Sequence, residues 1–176
     1  MSWSSECKKK WIAPEALETK VKALKAAGKT IATLNGSFDL LHAGHLYIIY
    51  EASKVADLLI VALNSDASIK RYKSKDRPII TLQYRLEMMS ALQFVDYVTW
   101  FEEDDPRELL SKIQPHVHVN GAEYGDNCIE AEVVKRYGGK LHLVPRISGA
   151  EGQLLATSEI LEKICALSGL QKITKA

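Results

Sequence analysis

Short runs of β-branched and aliphatic residues alternate along this chain with longer stretches in which apolar residues return every three or four positions. The first pattern belongs to strands buried on both faces, the second to amphipathic helices. Read this way, the chain predicts a helix from Pro14 to Ala27, with a proline suited to the first turn and Gly28 just past the end. A strand from Thr30 to Leu34 follows, then a helix from Gly44 to Ala56 with Ile48, Ile49, Ala52 and Val55 at helical spacing. A second strand covers Leu58 to Leu63. A helical turn from Ala67 to Tyr72 then leads into the charged run Lys73 to Arg77, where Pro78 excludes regular helix. Beyond it the pattern predicts a helix from Leu82 to Gln93, a strand from Tyr97 to Trp100, and a helix to Ile113 capped by Asp105 with Pro106 in its first turn. A strand from Val117 to Val119, a helix from Ile129 to Tyr137 ended by Gly138-Gly139, a strand from Leu141 to Val144 and a helix from Thr157 to Leu167 complete the series.

Five strands alternating with helices predict an α/β fold: a Rossmann-like five-stranded parallel sheet flanked by helices, with right-handed crossovers. The expected organisation is an N-terminal extension and helix over 1–28, one domain over 29–168 and a tail over 169–176. Ligands of such sheets bind beyond the carboxyl ends of the strands. The polar segments at those ends are Gly36 to His45, Asn64 to Arg71, Asn120 to Tyr124 and Pro145 to Ser158.

Composition narrows the partners. With 47% hydrophobic and 26% charged residues the chain reads as soluble and globular, and a net charge of +1 gives no electrostatic basis for nucleic acid or membrane binding. No apolar run is long enough to span a bilayer, and the polar Met1 to Lys10 lacks the core of a signal peptide. Cys7, Cys128 and Cys165 are odd in number and far apart, as expected of free thiols in a reducing compartment, so a cytoplasmic location is expected.

The chemistry concentrates in Asn35-Gly36-Ser37-Phe38-Asp39-Leu40-Leu41-His42-Ala43-Gly44-His45. A strand feeds a helix through this segment, and a helix N-terminus favours phosphate. His42 and His45 lie about one turn apart, so both imidazoles can reach the same anion. Asp39 reads equally well as a turn cap. Lys70, Lys73, Arg77 and Arg85 are candidates for a substrate phosphate, Arg for bidentate contact and Lys as a point charge. Gly121 permits close approach of a base or ribose. His116 and His118 alternate along a strand and can share one side, where packing or exposure is favoured over a metal role. No third ligand stands at zinc spacing beside His42 and His45, and no dedicated metal site is expected. A Gly-x-Gly-x-x-Gly turn and a Walker-type lysine loop are both missing, which speaks against dinucleotide oxidoreductases and P-loop ATPases.

The segment His42-Ala43-Gly44-His45 resembles the His-x-Gly-His signature of the nucleotidyltransferase superfamily that includes the cytidylyltransferases. Asn64-Ser65-Asp66, Arg77-Pro78-Ile79, Gln83-Tyr84-Arg85, Phe94 to Val98, Phe101 to Pro106, Gly121 to Tyr124 and Gly138-Gly139 follow in order. Together, over roughly Lys29 to Ile164, they are similar to the adenylyltransferase domain of ADP-heptose synthesis. The resemblance implies adenylyl transfer from ATP to heptose 1-phosphate with release of pyrophosphate. His42 and His45 would stabilise the transition state. Gly36, Ser37, Phe38, Asp39 and Gly44 would form the phosphate turn, Asn120, Gly121 and Tyr124 would border the nucleoside, and Thr157 and Ser158 would take the β- and γ-phosphates. Mg²⁺ is expected with the triphosphate. Ala156 stands where the family usually has serine, Asn120 where the heptose branch often has lysine, and Ala122-Glu123 where it has Gly-Asp. Arg146 is a further candidate for phosphate, at the start of a long loop to Leu155. Cytidylyl transfer to glycerol 3-phosphate or phosphoethanolamine, flavin nucleotide synthesis and a regulatory nucleotide-binding role are the alternatives. The N-terminal helix and the helix after the third strand carry apolar faces compatible with a homodimer, as relatives form.

Overall fold

In the computed structural model, which describes residues 2–146 and 156–168, all five strands run parallel in the order β3-β2-β1-β4-β5. They are β1 (Ile31–Gly36), β2 (Leu58–Asn64), β3 (Tyr97–Phe101), β4 (Val117–Gly121) and β5 (Lys140–Val144). β1 pairs with β2 on one side and with β4 on the other, Thr33 lying opposite both Ile60 and His118. The winding direction reverses at β1, so the crevice above the ends of β1 and β4 is the switch point of the sheet.

Side chains alternate across each strand and divide the core in two. Ala32, Leu34, Leu59, Val61, Leu63, Val98 and Val119 meet Ile49 and Ala52 of α3 (Ala43–Ser53) and Leu86 and Met89 of α5 (Leu82–Ser90). On the opposite face Ile31, Ile60, Ala62 and Phe101 meet Leu17 and Val21 of α2 (Pro14–Ala26) and Leu109 and Ile113 of α6 (Arg107–Ile113). The apolar faces of α2 and α6, expected to suit a homodimer, are thus packed on the chain's own sheet. α4 (Asp66–Tyr72) follows β2, and its Ser65 side chain caps the Ser68 amide. α7 (Ala131–Arg136) ends at Gly138, whose φ of 76° lies in the left-handed region. α8 (Thr157–Ser168) closes the described chain.

The helices predicted to reach Ala56 and Gln93 end earlier, at Ser53 and Ser90, and the structure departs from the sequence pattern more substantially in three places. The polar N-terminus forms a helix, α1 (Trp3–Lys8), capped by the Ser2 side chain. It packs on α5, where the Trp3 indole donates to Glu87 and the Cys7 thiol lies against the Glu87 carbonyl. Residues 10–12 then run along the edge of β3: Val98 N donates to Lys10 O and Ile12 N donates to Val98 O, both at 2.8 Å. Residues 2–28 supply Cys7, Ile12, Leu17 and Val21 to the core. The second departure is at α6, which begins at Arg107 with Pro106 in the cap position; Asp105 reaches past the proline to accept the Arg107 amide at 3.0 Å. Third, β1, β2, β3 and β4 each run one or two residues beyond the predicted ends, carrying Asn35, Gly36, Asn64, Asn120 and Gly121 to the rim. The loop over 147–155 and the tail over 169–176 lie outside the described residues. No helix among the described residues is long and apolar enough to cross a membrane.

Candidate active site

A cavity of about 740 Å³ opens above the carboxyl ends of β1, β2 and β4. Its floor is the turn from β1 into α3. Phe38 takes a left-handed conformation (φ 45°) there, and its ring lies so close to Gly36 that a Cβ at that position would come within 3.1 Å of it. The Phe38 ring meets His45 edge-on at 5.3 Å, and His45 stacks on His42 with ring centroids 3.8 Å apart. His42 is the N-cap of α3 but makes no side-chain cap bond, which leaves its imidazole to the cavity. The Nδ1 atoms of both rings are buried without a hydrogen-bond partner among the described residues. Burial holds the pKa of His42 below its ordinary value, opposed by Glu159 on α8. Burial, then His42 and Lys73, bring His45 down to about 4, against a contact with the Leu40 backbone. At neutral pH the free site therefore presents two uncharged imidazoles, each able to take a proton when an anion arrives.

One wall is cationic. Lys73, at the end of α4, donates to Ser37 Oγ at 3.0 Å, and burial with Arg77 beside it lowers its pKa. Arg77 Nε donates to Asp39 at 2.7 Å; an Arg77 terminal nitrogen is equally near but not aligned to donate to it. Tyr72 and Ser74 line the same wall. The opposite wall is polar and aromatic. Asn120 Oδ1 accepts the Gly121 amide at 3.0 Å, while Tyr124 and Ile129 are exposed beside it. The Glu123 carboxylate folds against Gly121, where any Cβ would collide with it, and accepts Arg146 Nε at 2.8 Å. Thr157 and Ser158 of α8 complete the lining, and with Glu159 acting on His42 the start of α8 faces the start of α3.

The fold thus gathers His42, His45, Gly36, Ser37, Phe38, Gly44, Lys73, Arg77, Asn120, Gly121, Tyr124, Thr157 and Ser158 around one cavity. It places three other candidates elsewhere. Asp39 is buried and accepts the Ile79 and Ile80 amides as well as Arg77, so it ties segment 77–80 to the phosphate turn and does not line the cavity. Arg85 is wholly buried: it donates to the carbonyls of Ile80, Ser37 and Asn64 and pairs with Asp66 at 2.6 Å. Its donors are occupied within the protein, which removes it from the phosphate-binding set. Lys70 is exposed on α4 and outside the cavity lining. His118 is buried with Nδ1 2.8 Å from Thr33 Oγ1, and His116 Nδ1 accepts the Ile31 amide. His118 is thus a packing residue while His116 is exposed, and no group of three or more His, Cys, Asp or Glu able to hold a metal occurs among the described residues. Sequence reasoning missed Glu130 at the foot of α7, and Asp104 and Asp105 after β3, as lining residues. Glu130 reads in sequence only as an acidic helix start.

Comparison with known proteins agrees with this architecture. Pantoate-beta-alanine ligase from Francisella tularensis shares the fold, with TM-score 0.60 and 15% identity over 94% of this chain and 82% of that one. A lipopolysaccharide core biosynthesis protein from Thermoplasma volcanium aligns with TM-score 0.54 and 26% identity over 67% of this chain and 96% of that one. The bifunctional protein HldE of Pelobacter propionicus is 40% identical over 151 residues, and that of Geobacter sulfurreducens 41% identical over 150; each alignment covers 85% of this chain and 30% of the relative. The chain therefore spans about a third of the length of these curated relatives. The model of the cytidylyltransferase-like family matches residues 33–158, from the middle of β1 to the second residue of α8. A stacked histidine pair at a phosphate-ready helix start, in a sheet of this order, agrees with that match: the chain belongs to the cytidylyltransferase-like family and is a nucleotidyltransferase.

Proposed function

We propose that the enzyme transfers an adenylyl group from ATP to heptose 1-phosphate, forming ADP-heptose and pyrophosphate, as a step toward the lipopolysaccharide core. The observation that carries the reading is the His42–His45 pair, facing a cavity with cations on one wall and a polar and aromatic surface on the other. HldE relatives at about 40% identity and the lipopolysaccharide core biosynthesis neighbour support the choice of acceptor.

The chemistry needs alignment and charge stabilisation more than covalent help. A phosphate oxygen of the acceptor attacks the α-phosphorus, a P–O bond forms, and the bond to the bridging oxygen breaks with pyrophosphate carrying away the electron pair. Lys73 and Arg77 hold the acceptor phosphate on the β2 side of the crevice. His42 and His45 lie under the α-phosphate and donate to the oxygens on which charge grows. Their lowered pKa values mean that the incoming triphosphate, not the protein, recruits the protons. Thr157 and Ser158 offer hydroxyls and a helix N-terminus to the departing pyrophosphate. Mg²⁺ would enter as part of the MgATP substrate, neutralising phosphate charge.

The test is pyrophosphate release with Mg²⁺, pairing ATP or CTP with heptose 1-phosphate, glycerol 3-phosphate and phosphoethanolamine. Turnover confined to ATP with heptose 1-phosphate supports the proposal. Turnover with CTP and an alcohol phosphate moves the enzyme to the cytidylyltransferase branch. His42→Ala and His45→Ala are each expected to lower kcat by about 10²-fold with a smaller change in nucleotide Kd. Full activity in both variants would end the mechanism.

A further inference from the structure

Tyr72 lines the cavity, yet the mechanism gives it no part. It is the last residue of α4; Ser68 and Ile69 bury the inner face of that helix, while Tyr72 stays 44% exposed. A single exposed aromatic residue is ordinary on a protein surface. This one is held in place. The Ser37 side chain is hydrogen-bonded to its phenol oxygen, and Lys73 Nζ lies 5.6 Å from its ring centroid, within cation–π range. Burial raises the pKa of the phenol; the Ser37 bond opposes this, Tyr124 on the facing wall adds to it, and Arg85 and Arg77 oppose it. The hydroxyl is thus the enclosed end of the side chain, and the exposed area belongs to the ring. Anchored by the helix at one end and by Ser37 at the other, the ring is a fixed, uncharged, electron-rich face in an otherwise polar wall.

The neighbours of the ring select what meets it. Ser37 Oγ accepts Lys73 Nζ at 3.0 Å, so Tyr72 and the acceptor lysine share one anchor, and Arg77 lies beside Lys73. An acceptor whose phosphate rests on these two cations presents the carbons next to that phosphate to Tyr72. Arg71 pairs with Asp104 at 2.5 Å, which draws the loop after β3 toward α4, and Asp104 and Ser74 line the cavity as well. An aromatic face is therefore set among hydrogen-bonding groups. A pyranose has the matching shape: polarised C–H bonds on one face and hydroxyls around the edge. Glycerol 3-phosphate and phosphoethanolamine are open chains and have no such face. Resting on the nucleotidyl-transfer reading, we propose that Tyr72 is the acceptor-specificity residue of this enzyme: a cyclic sugar phosphate stacks its C–H face on the Tyr72 ring, and that contact sets such acceptors apart from open-chain alcohol phosphates.

Acceptor kinetics on the full chain test this, with Mg²⁺ and whichever of ATP and CTP supports turnover, on the wild type, Tyr72→Phe and Tyr72→Leu. The acceptors are heptose 1-phosphate, mannose 1-phosphate, glycerol 3-phosphate and phosphoethanolamine, and the nucleotide Kd is measured without acceptor. The wild type should favour a sugar phosphate. Tyr72→Phe keeps the ring and should hold KM for that sugar within about threefold, whereas Tyr72→Leu keeps apolar bulk without a π face and should raise it roughly tenfold. Neither change should move the nucleotide Kd. Proton NMR of the sugar phosphate bound to the wild type and to Tyr72→Phe should show sugar C–H signals shifted upfield by the ring, and Tyr72→Leu should abolish the shift. No upfield shift on the wild type overturns the inference, whether or not the variants fold. So does an unchanged KM in Tyr72→Leu, an equal loss in Tyr72→Phe, or a weakened nucleotide Kd, which would put the base on the ring. Turnover confined to the open-chain acceptors overturns it while leaving nucleotidyl transfer intact. If no acceptor is turned over with either nucleotide, the nucleotidyl-transfer reading itself falls, and this inference with it.

Discussion

Arg85 and Lys73 separate two uses of positive charge that look alike in sequence. Arg85 is fully buried and donates to three carbonyls and to Asp66, so it joins the ends of β1 and β2 to the start of α5. Replacing it with alanine leaves those acceptors and a half-buried carboxylate without a partner, a change worth about 3 kcal/mol. Urea unfolding of Arg85→Ala should show that loss. Lys73 touches only a hydroxyl, Ser37 Oγ, among its described hydrogen bonds, and faces the cavity. Lys73→Ala should unfold within about 0.5 kcal/mol of the wild type yet raise KM for the phosphorylated acceptor by roughly tenfold, the worth of one charge-assisted contact. The distinction was partly legible in the sequence. Leu82, Leu86 and Met89 mark the inward stripe of α5, and position 85 falls on that stripe, which forecasts burial. The motif around it drew attention to its charge and away from its periodicity. That His42, His45 and Ser37 line the cavity, by contrast, was readable because a helix that starts just after a strand brings its first turn to the rim of the sheet, whereas Thr157 was legible only through the family resemblance.

At the scale of elements, local signals placed every strand and most helices, and failed where tertiary contacts decide. The Gly138-Gly139 pair is a clear success: it stops α7, with Gly138 in the left-handed region and Gly139 N bonded to Val134 O at 3.0 Å. The second glycine carries a further requirement invisible in the sequence, since a Cβ there would lie 2.4 Å from the Pro115 carbonyl oxygen, across the turn into β4. Backbone cannot give way as a side chain can, so Gly139→Ala is expected to cost about 2 kcal/mol, against less for substitutions on the exposed face of α7. Thermal or urea unfolding checks it, and an unchanged midpoint would mean that the α7–β5 connection shifts freely. α1 is the opposite case. Six residues with a polar pattern do not specify a helix by propensity. It forms because Cys7 enters the core, Trp3 reaches Glu87, and the chain must turn to lay residues 10–12 along β3. That strap covers an edge strand that would otherwise offer unpaired backbone to other chains. The extra turns of strand at the rim were likewise unpredictable, because Asn35, Asn64 and Asn120 have low strand propensity and are held there by neighbouring strands.

Across the whole molecule, the buried histidines tie stability to pH. His118 is fully buried between β1 and its own neighbours, with Nδ1 on Thr33 Oγ1, and burial brings its pKa down to about 4. His45 is brought to about 4 by burial, His42 and Lys73, while more open to solvent. In the unfolded chain both return to about 6.5. Because the folded values are depressed, the folded protein holds these rings neutral, and their contribution is complete above pH 6.5. Below that the unfolded chain takes up protons that the folded chain refuses, so stability falls as pH drops from about 6.5 toward 4. For His118 the loss between pH 7 and pH 5 comes to about 2 kcal/mol. Urea unfolding at the two pH values measures it directly. His118→Leu, which strands the Thr33 hydroxyl, should be less stable than the wild type at pH 7 but should lose about 2 kcal/mol less on going to pH 5. An equal loss in both proteins would mean that His118 takes up its proton without unfolding, through its unpartnered Nε2, and that the acid sensitivity resides in the active-site pair. Bound MgATP would then distinguish that pair from the rest, since a triphosphate over His42 and His45 favours their protonated forms and should flatten the pH dependence that they contribute.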